Sequence, residues 1–459
     1  MANGPHSEAA ADGTDSRTLL RELCALAIPI GLQNLFVALT GATDALMLGR
    51  LSQDAVSAVS LANQIAFVMH LFVGAIVGGG GVLMAQYWGK KDTAMFKNLL
   101  CMILRGALGV SLVFFALAML LPERLMRIFT PDRTLIRIGA SYLRAVSFSY
   151  LFTGVSQCYF LKMKTEGRAA KSVLISVAVL ALDVALDAFL IYGLAGLPRL
   201  GAVGSAYSTV AVELIALVWC IAESCRGDSV RPDWEGLRWF SAEVTGDWLR
   251  IVLPMLASSL AWGLSISMHA LIMGYYGSAA TAAASITSVV QELVTCVCRG
   301  VSAGAGILIG KLLGQNQTEK AKVYGGKLCR ISVWVGCLHV LLLCILGPLV
   351  TGFFALTQAA KRYLAAMLLF SAAYVFAYAI NTVVVCGIFP AGGDSRYDAV
   401  SVLLATWCFA LPLGLAGAFV FHWPVMAVYV LMCLDEIVKL PWVYPRYRAY
   451  LWVNDLTRS

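Results

Sequence analysis

Charged residues are scarce in this chain. Asp, Glu, Lys and Arg make up 13% of its 459 residues, whereas 60% of the residues are apolar. Soluble domains carry about 25% charged residues, so this composition excludes an ordinary soluble enzyme or binding domain. The net charge of +8 then bears on orientation in a bilayer, and we expect no nucleic-acid partner. The sequence predicts an integral membrane protein.

Metal and cofactor motifs are missing as well. The closest cysteine pairs, Cys296/Cys298 and Cys220/Cys225, lack the spacing of a zinc or redox motif. No two of the five histidines are three or four residues apart, as a helical metal pair requires. We therefore predict no cofactor, and no metal beyond Na⁺ at the cation-binding residues named below.

What the chain does contain is a repeat. Shifted by 225 positions, the first half matches the second without a gap through two apolar segments and the loop after them. The matched pairs include Pro29/Pro254, Leu35/Leu260, Ala45/Ala270, Gly49/Gly274, Gly79/Gly304, Gly89/Gly314 and Lys97/Lys322. A repeat of this length predicts two similar lobes, and in membrane proteins a substrate path usually lies where two such lobes meet.

Twelve apolar runs, six in each half, approach or exceed the roughly 20 residues that a membrane-spanning helix needs. The predicted helices are 19–48, 54–86, 98–121, 134–161, 171–193, 202–223, 245–276, 279–312, 328–355, 361–388, 397–421 and 424–445. We predict an all-α integral membrane protein with two six-helix lobes related by a pseudo-two-fold repeat. The predicted parts are an N-terminal tail (1–18), an N-lobe (19–225), a linker (226–244) and a C-lobe with a short tail (245–459).

Basic residues predict the orientation. Residues 1–16 contain no Lys or Arg before an apolar core, so they lack the form of a signal peptide. With this end inside the cell, most Lys and Arg residues fall in cytoplasmic loops, and the linker is the most charged interval of the chain. The bias predicts a multi-pass protein of the inner (plasma) membrane with both termini and both tails in the cytoplasm.

Three aspartates lie in predicted spans. Asp183 and Asp187 are four residues apart on helix 5 and share one face, while Asp44 lies near the outer end of helix 1. Two carboxylates this close repel when both are ionised, and the repulsion is relieved by a proton or a bound cation. Because a carboxylate within a bilayer is costly, the pattern indicates an ion-coupled site. The alternative is that these aspartates are helix caps or hydrogen-bonded packing groups.

Neutral oxygens accompany the aspartates. Gln33, Thr40 and Asp44 form one polar stripe on helix 1, and Ser205 and Thr209 are four residues apart on helix 6. We predict that Asp44, Asp183, Asp187, Ser205 and Thr209 form a site for Na⁺ or for proton exchange.

The second half has different polar residues. His269 takes the position of Asp44, and residues 400–417 contain no acidic residue. Glu292 and Arg299 share a face of helix 8, but two helical turns, roughly 10 Å, is long for a direct ion pair. Asp435 and Glu436 are expected to be solvated or paired with Lys439.

Several motifs together resemble the multidrug and toxic compound extrusion (MATE) family, within the MATE/polysaccharide-flippase superfamily. The motifs are residues 27–29 (AIP), 43–50 (TDALMLGR), 89–92 (GKKD), 182–187 (LDVALD), 204–209 (GSAYST) and 392–396 (GGDSR). The resemblance implies a twelve-helix, two-lobe exporter in which inward flow of Na⁺ or H⁺ drives organic cations out by alternating access. It places the family's N-lobe cation site on the same five residues. The superfamily also includes exporters of metabolites, so a metabolite substrate stays open.

Two departures from the family matter. Asp183 stands where many members have Asn, which adds a carboxylate. The acidic residues that some members carry on helices 7 and 10 are replaced here by Trp262 or Gly263 and by Ala379. The sequence therefore does not predict a second cation site in the C-lobe.

We expect a monomer that contacts membrane lipid and binds a small organic cation. The residues predicted to line its substrate cavity are Gln33, Gln64, His269, Glu292 and Asn381. The nearest rival is a flippase for a lipid-linked saccharide, which needs basic groups for pyrophosphate and has only Arg105, Arg144 and Arg299 available. An intramembrane enzyme lacks a Ser/His or HExxH arrangement, and a passive channel does not explain an ion site in one lobe only.

Overall fold

A computed structural model describes residues 5–193, 198–226, 229–239, 241–353 and 356–457. These residues are almost entirely helical, and none of them forms a β-strand. The helices of the first half are α1 (Pro5–Gly49), α2 (Gln53–Gly89), α3 (Thr93–Leu120), α4 (Pro122–Phe129), α5 (Arg133–Thr165), α6 (Ala169–Tyr192), α7 (Ala202–Ser224) and the short α8 (Trp234–Arg238).

The second half continues with long helices and then changes pitch. Its helices are α9 (Ala242–Tyr275), α10 (Ser278–Gly314), α11 (Thr318–Phe353), α12 (Gln358–Asn381), α13 (Phe389–Ala391), α14 (Ser395–Val402), α15 (Leu411–Leu415), α16 (Val425–Met432) and α17 (Asp435–Arg448). The second half also contains three π-helical segments. One joins α12 to α13 (Thr382–Ile388), one joins α14 to α15 (Leu403–Ala410), and one follows α15 (Ala416–Val420). Such turns often occur at functional sites.

Ten helices in the described part of the chain are long and apolar enough to cross a membrane. The two predicted spans outside this set are α5, which begins with several arginines, and residues 424–445, where the helix is interrupted between Met432 and Asp435. The first helix begins at Pro5 rather than at residue 19. The prediction of an all-helical membrane protein is confirmed.

Short loops with capping residues separate the helices. Asp92 accepts a hydrogen bond from the Met95 amide (2.9 Å) and Asp132 accepts one from the Thr134 amide (2.7 Å), so each aspartate caps the helix that follows it. Lys91 and Asn316, which are equivalent in the repeat, both have left-handed backbone angles, with φ of 64° and 58°. The repeat therefore extends to the backbone of these two loops.

The chain forms two compact units. The N-unit comprises Gln33–Met84 and Lys91–Val252, and the C-unit comprises Met1–Leu32, Ala85–Lys90 and Leu253–Ser459. α1 and α9 each begin in one unit and end in the other. The lobe boundaries drawn from the sequence stay a prediction.

Equivalent glycines pack against equivalent residues. Within the N-unit, a Cβ built on Gly79 would lie 2.6 Å from Cγ2 of Val252; within the C-unit, one built on Gly304 would lie 3.4 Å from N of Ala27. Ala27 and Val252 are themselves repeat partners. Small residues thus let α9 approach α2 in one unit and α1 approach α10 in the other.

Candidate functional site

The structure brings the three predicted aspartates together in the N-unit. Carboxylate oxygens of Asp44 on α1 and of Asp183 and Asp187 on α6 all lie within 4.8 Å of one another. Asp183 is 2% exposed and Asp187 1% exposed, while Asp44 is partly buried. The cluster has the oxygen ligands that a hard cation or exchangeable protons require.

Local packing fixes the cluster. The spacing of four on α6 points Asp183 and Asp187 from one face, and Gly193, where φ is 71°, caps the end of α6. Just before that end, the Tyr192 hydroxyl donates to the Met47 carbonyl over 2.8 Å and joins α6 to α1. The consequence is that Asp44 is held beside α6 although it is far away in sequence.

Few hydrogen-bond donors offset the negative charge of the cluster. The Ser208 hydroxyl donates to Asp183 Oδ1 over 3.1 Å, whereas both carboxylate oxygens of Asp187 are buried without a hydrogen bond from any described residue. Ionised carboxylates about 4.8 Å apart repel by roughly 3–4 kcal/mol per pair at an effective dielectric constant near 20. The three groups therefore require protons or a cation in this position.

The two predicted hydroxyl residues have other environments. Thr209 Oγ1 donates to the Ser205 backbone carbonyl (3.0 Å), and Ser205 Oγ is buried without a hydrogen-bond partner in the described part of the chain. Ser208 supplies the observed contact to Asp183, and sequence reasoning missed it. Because Ser208 follows Ser205 by three residues, it shares a helical face with it, which is the signal that was available.

Glu213 was also missed. It lies four residues beyond Thr209 within the apolar helix α7 and is partly buried. An ionisable residue inside a predicted span is itself a signal of function, so the sequence alone should have included it among the candidates.

The C-unit contains a cavity of about 300 Å³. Polar and aromatic residues from several helices line it: Trp262, His269, Thr281, Ser285, Ser288, Gln291, Glu292, Thr295, Arg299, Tyr374, Tyr378 and Tyr429. His269 Nε2 is buried and receives no hydrogen bond from the described residues. The cavity includes two of the five predicted substrate residues, His269 and Glu292.

Glu292 and Arg299 form a direct ion pair in this cavity, contrary to the expectation from their spacing. Arg299 Nη1 lies 3.3 Å from Glu292 Oε1. Two long side chains that lean toward each other along the helix axis bridge two turns. Their side chains are 56% and 32% exposed, respectively, so the pair is solvated and weak.

The other predicted substrate residues lie elsewhere. In the N-unit, Gln33 is buried with Oε1 unpartnered by described groups, and Gln64 is exposed. In the C-unit, the Asn381 amide donates to the Glu436 carbonyl (2.7 Å) and to Glu436 Oε2 (2.8 Å). Their role in substrate binding stays a prediction.

Glu436 belongs to a buried charged network rather than to a solvated helix end. Lys439 Nζ lies 2.5 Å from Glu436 Oε1, as the pairing prediction expected, and both side chains are 7% exposed. Thr406 donates to Asp435 Oδ2 over 3.3 Å. Asp435 and Glu436 form the first turn of α17, where the helix dipole favours negative charge.

The arginines that a pyrophosphate flippase would need have separate roles. Arg105 donates to the carbonyls of Leu237 (3.2 Å) and Trp239 (2.8 Å) and fastens the linker to α3. Arg299 is paired with Glu292, and Arg144 lines a different cavity in the N-unit. These environments give no support to a shared pyrophosphate site.

Comparisons with known proteins agree with this architecture. The MatE family model matches residues 29–189 and 254–424, one match in each half. The uncharacterized transporter YisQ of Bacillus subtilis is 21% identical over 94% of this chain and 95% of its own length. The multidrug resistance protein PmpM of Pseudomonas aeruginosa is 25% identical over 88% of this chain and 84% of its own length.

Solved structures share the fold. A MATE structure in complex with MaL6 superposes with a TM-score of 0.83 at 17% identity, covering 93% of this chain and 96% of the other. A MOP superfamily transporter from Pyrococcus furiosus gives a TM-score of 0.84 at 16% identity with the same coverage. That fold has twelve membrane helices in two lobes. Together with the two family matches, this shows that the chain is a transporter and not an enzyme, and that it belongs to the MatE family of multidrug efflux transporters.

Proposed function

We propose that this protein is an antiporter that exports organic cations or amphiphilic drugs in exchange for H⁺ or Na⁺. The observation that carries the proposal is the cluster of Asp44, Asp183 and Asp187, whose carboxylate oxygens lie within 4.8 Å of one another. A buried group of three carboxylates with one hydroxyl donor is neutral only when it binds protons or a cation, and that requirement can couple ion entry to a conformational change.

Helix α1 is the element that responds in this mechanism. Its interior contains Pro29, which removes a backbone hydrogen bond, and the hydroxyls of Thr40 and Thr43 donate to carbonyls one turn earlier, at 3.1 and 2.9 Å. Such bonds weaken and bend a helix. Neutralising Asp44 and its partners removes their repulsion and lets α1 repack, and a differential of a few kcal/mol shifts a two-state equilibrium by orders of magnitude.

The number of carboxylates favours H⁺ as the coupling ion. One Na⁺ offsets a single negative charge, whereas protons neutralise Asp44, Asp183 and Asp187 one at a time. Asp183, which adds the third carboxylate, is the residue that makes this difference. Na⁺ is the alternative, and the transport experiment below distinguishes the two ions.

The C-unit cavity is the proposed substrate site. Tyr374 and Tyr378 stack with ring centroids 5.8 Å apart, and aromatic faces attract organic cations. Glu292 supplies a negative charge, and Arg299 neutralises it until a cationic substrate competes for the carboxylate. The volume of about 300 Å³ lies at the lower end for small-molecule sites.

The remaining proposals concern the cell. We place the protein in the plasma membrane with both termini in the cytoplasm, as a monomer in contact with lipid. Cysteine accessibility at Asn454, an exposed residue near the C-terminus, tests the orientation. Stronger labelling of Asn454→Cys than of the unsubstituted protein, which has exposed cysteines of its own, by a membrane-impermeant reagent in intact cells contradicts it.

Ethidium transport in liposomes tests the function. Purified protein is reconstituted, and a pH gradient or a Na⁺ gradient is imposed separately. We expect the pH gradient to drive transport in wild type and in the control Asp54→Asn, which removes an exposed carboxylate of α2, and we expect Asp187→Asn to abolish driven transport.

Transport driven only by the Na⁺ gradient would show that Na⁺, not H⁺, is the coupling ion. If neither gradient moves ethidium, the organic-cation substrate is wrong and metabolite or lipid-linked substrates come next. If Asp187→Asn transports as well as wild type, the carboxylate cluster is not the ion site.

A further inference from the structure

A second, larger cavity lies in the N-unit, beside the corner between α4 and α5. Its volume is about 730 Å³. Four arginines and a single acidic residue line it: Arg127, Arg133, Arg137, Arg144 and Glu123. None of the four guanidinium groups forms an ion pair with the residues that the structure describes, so the cavity carries an uncompensated positive charge.

The nearest acid in the sequence, Asp132, forms no ion pair with these arginines. Asp132 directs Oδ1 to the amides of Thr134 and Leu135, at 2.7 and 3.4 Å, and so caps α5. The corner itself is firmly packed, because a Cβ on Gly139 would lie 2.2 Å from the Met126 side chain that anchors α4 on α5. The arginines therefore project from a preformed surface.

Position in the membrane adds a second argument. The predicted orientation places the α4–α5 corner on the non-cytoplasmic side, where membrane proteins usually carry few basic residues. Arg133, Arg137 and Arg144 follow one another along α5 over eleven positions, which is roughly 16 Å of helix. Arginines grouped at this end of α5 would be stabilised by a bound anion.

The apolar residues beside the cavity suit the acyl chains of a bound lipid. In the eight-residue helix α4, Pro122 and Met126 are buried, whereas Ile128 is 72% exposed, and Leu120 just before it is 75% exposed. A short helix with exposed apolar side chains beside arginines is typical of a helix in the membrane interface. Acyl chains can lie against these apolar side chains while a headgroup enters the arginine cavity.

We propose that the cavity of Arg127, Arg133, Arg137 and Arg144 binds the headgroup of an anionic phospholipid of the outer leaflet. Arg127, Arg133 and Arg137, nearer the loop, hold the phosphate, because the guanidinium fork matches phosphate oxygens. Arg144, farther along α5, meets the ester carbonyls of the same lipid. The site is independent of the ion cluster and of the substrate cavity.

Native mass spectrometry of the full chain in detergent tests the site with phosphatidylglycerol and phosphatidylcholine as probes. We expect phosphatidylglycerol to bind preferentially, and Arg133→Gln/Arg137→Gln to weaken its binding about 25-fold, since each arginine near a lipid phosphate contributes about a five-fold factor. The matched control Arg50→Gln/Arg124→Gln removes two exposed arginines outside the cavity and should change binding less than two-fold.

Three results would overturn the proposal. They are equal binding of the two lipids, an equal loss in the cavity and control variants, and displacement of phosphatidylglycerol by millimolar inorganic phosphate, which would identify a free-phosphate site. Arg133→Lys/Arg137→Lys keeps the charge but not the guanidinium fork, so its loss of binding should be smaller than that of the Gln variant.

Discussion

Two buried clusters of charged residues in this protein, one in each unit, are compensated in opposite ways. In the N-unit, Asp44, Asp183 and Asp187 lie together, and Asp187 receives no hydrogen bond from the described residues. In the C-unit, Glu436 is bonded to Lys439 and to the Asn381 amide. One set of charges is left open for an exchangeable ion, and the other is closed by the protein's own groups.

The difference shows that the repeat conserves packing but not charge. Glycines at equivalent positions pack against equivalent residues, while the three aspartates have no acidic counterpart in the second half, where His269 takes the position of Asp44. A buried charged network with its own cation is destabilised when that cation is removed, because an uncompensated charge is left behind, whereas a cluster without a cation depends on what binds to it. Removing one charge should therefore lower the stability of the C-unit network, whereas it should leave stability nearly unchanged or raise it in the N-unit cluster.

The largest expected effect is in the closed network. Lys439→Met leaves Glu436 buried without its cation, and we expect a loss of about 3–5 kcal/mol in stability, measured as the thermal unfolding of detergent-solubilised protein. Lys439→Met/Glu436→Gln removes both charges and should recover most of the loss. An unchanged melting temperature in the single variant would mean that Lys439 does not compensate the charge of Glu436.

The next effect concerns the packing that the two halves share. Within the C-unit, a Cβ on Gly89 would lie 2.1 Å from the Lys311 carbonyl oxygen, and one on Gly314 would lie 1.9 Å from that of Gln86. Because each pair is the repeat copy of the other, Gly89→Ala and Gly314→Ala should destabilise equally, by about 1–3 kcal/mol.

The control for this pair is Gly109→Ala on α3, where a Cβ meets nothing within 4 Å. Alanine should stabilise that helix slightly, by up to about 1 kcal/mol. Clearly unequal losses of stability in the Gly89 and Gly314 variants would show that the two helix contacts are not equivalent.

The smallest effect on stability is expected in the open cluster. Asp187→Asn removes one of three repelling carboxylates, so unfolding stability should stay within about 1 kcal/mol of wild type or rise, although driven transport is lost. The same thermal assay measures it. A loss as large as that of Lys439→Met would show that Asp187 has a structural partner and that the two units do not differ in kind.

Much of the architecture follows from the sequence. The boundaries of the long helices agree within a few residues for most predicted spans, because long apolar runs leave the backbone no alternative to helix in a bilayer. Three exceptions are instructive: α1 begins at Pro5, α11 begins at Thr318 rather than at residue 328, and the last predicted span is broken between Met432 and Asp435. The hydrophobicity of the sequence indicates neither a helix that extends beyond its apolar run nor a break beside Asp435.

The candidate site was predicted in part. Spacing identified Asp183 and Asp187, and the cost of charge in a membrane identified Asp44. Spacing alone chose Thr209 over Ser208, since both positions are near the same face of α7 and only packing against α6 decides which hydroxyl reaches Asp183. The pair of Glu292 and Arg299 was judged too distant because helical rise ignores the reach of long side chains.

The sequence by itself determined the fold class, the repeat and the identity of the three aspartates, because apolar length and the cost of buried charge are local properties. Only the tertiary structure decided which charges are compensated. Lys439 closes the Glu436 network and no described residue donates to Asp187, and both facts depend on contacts between side chains on the final packed surfaces of the helices.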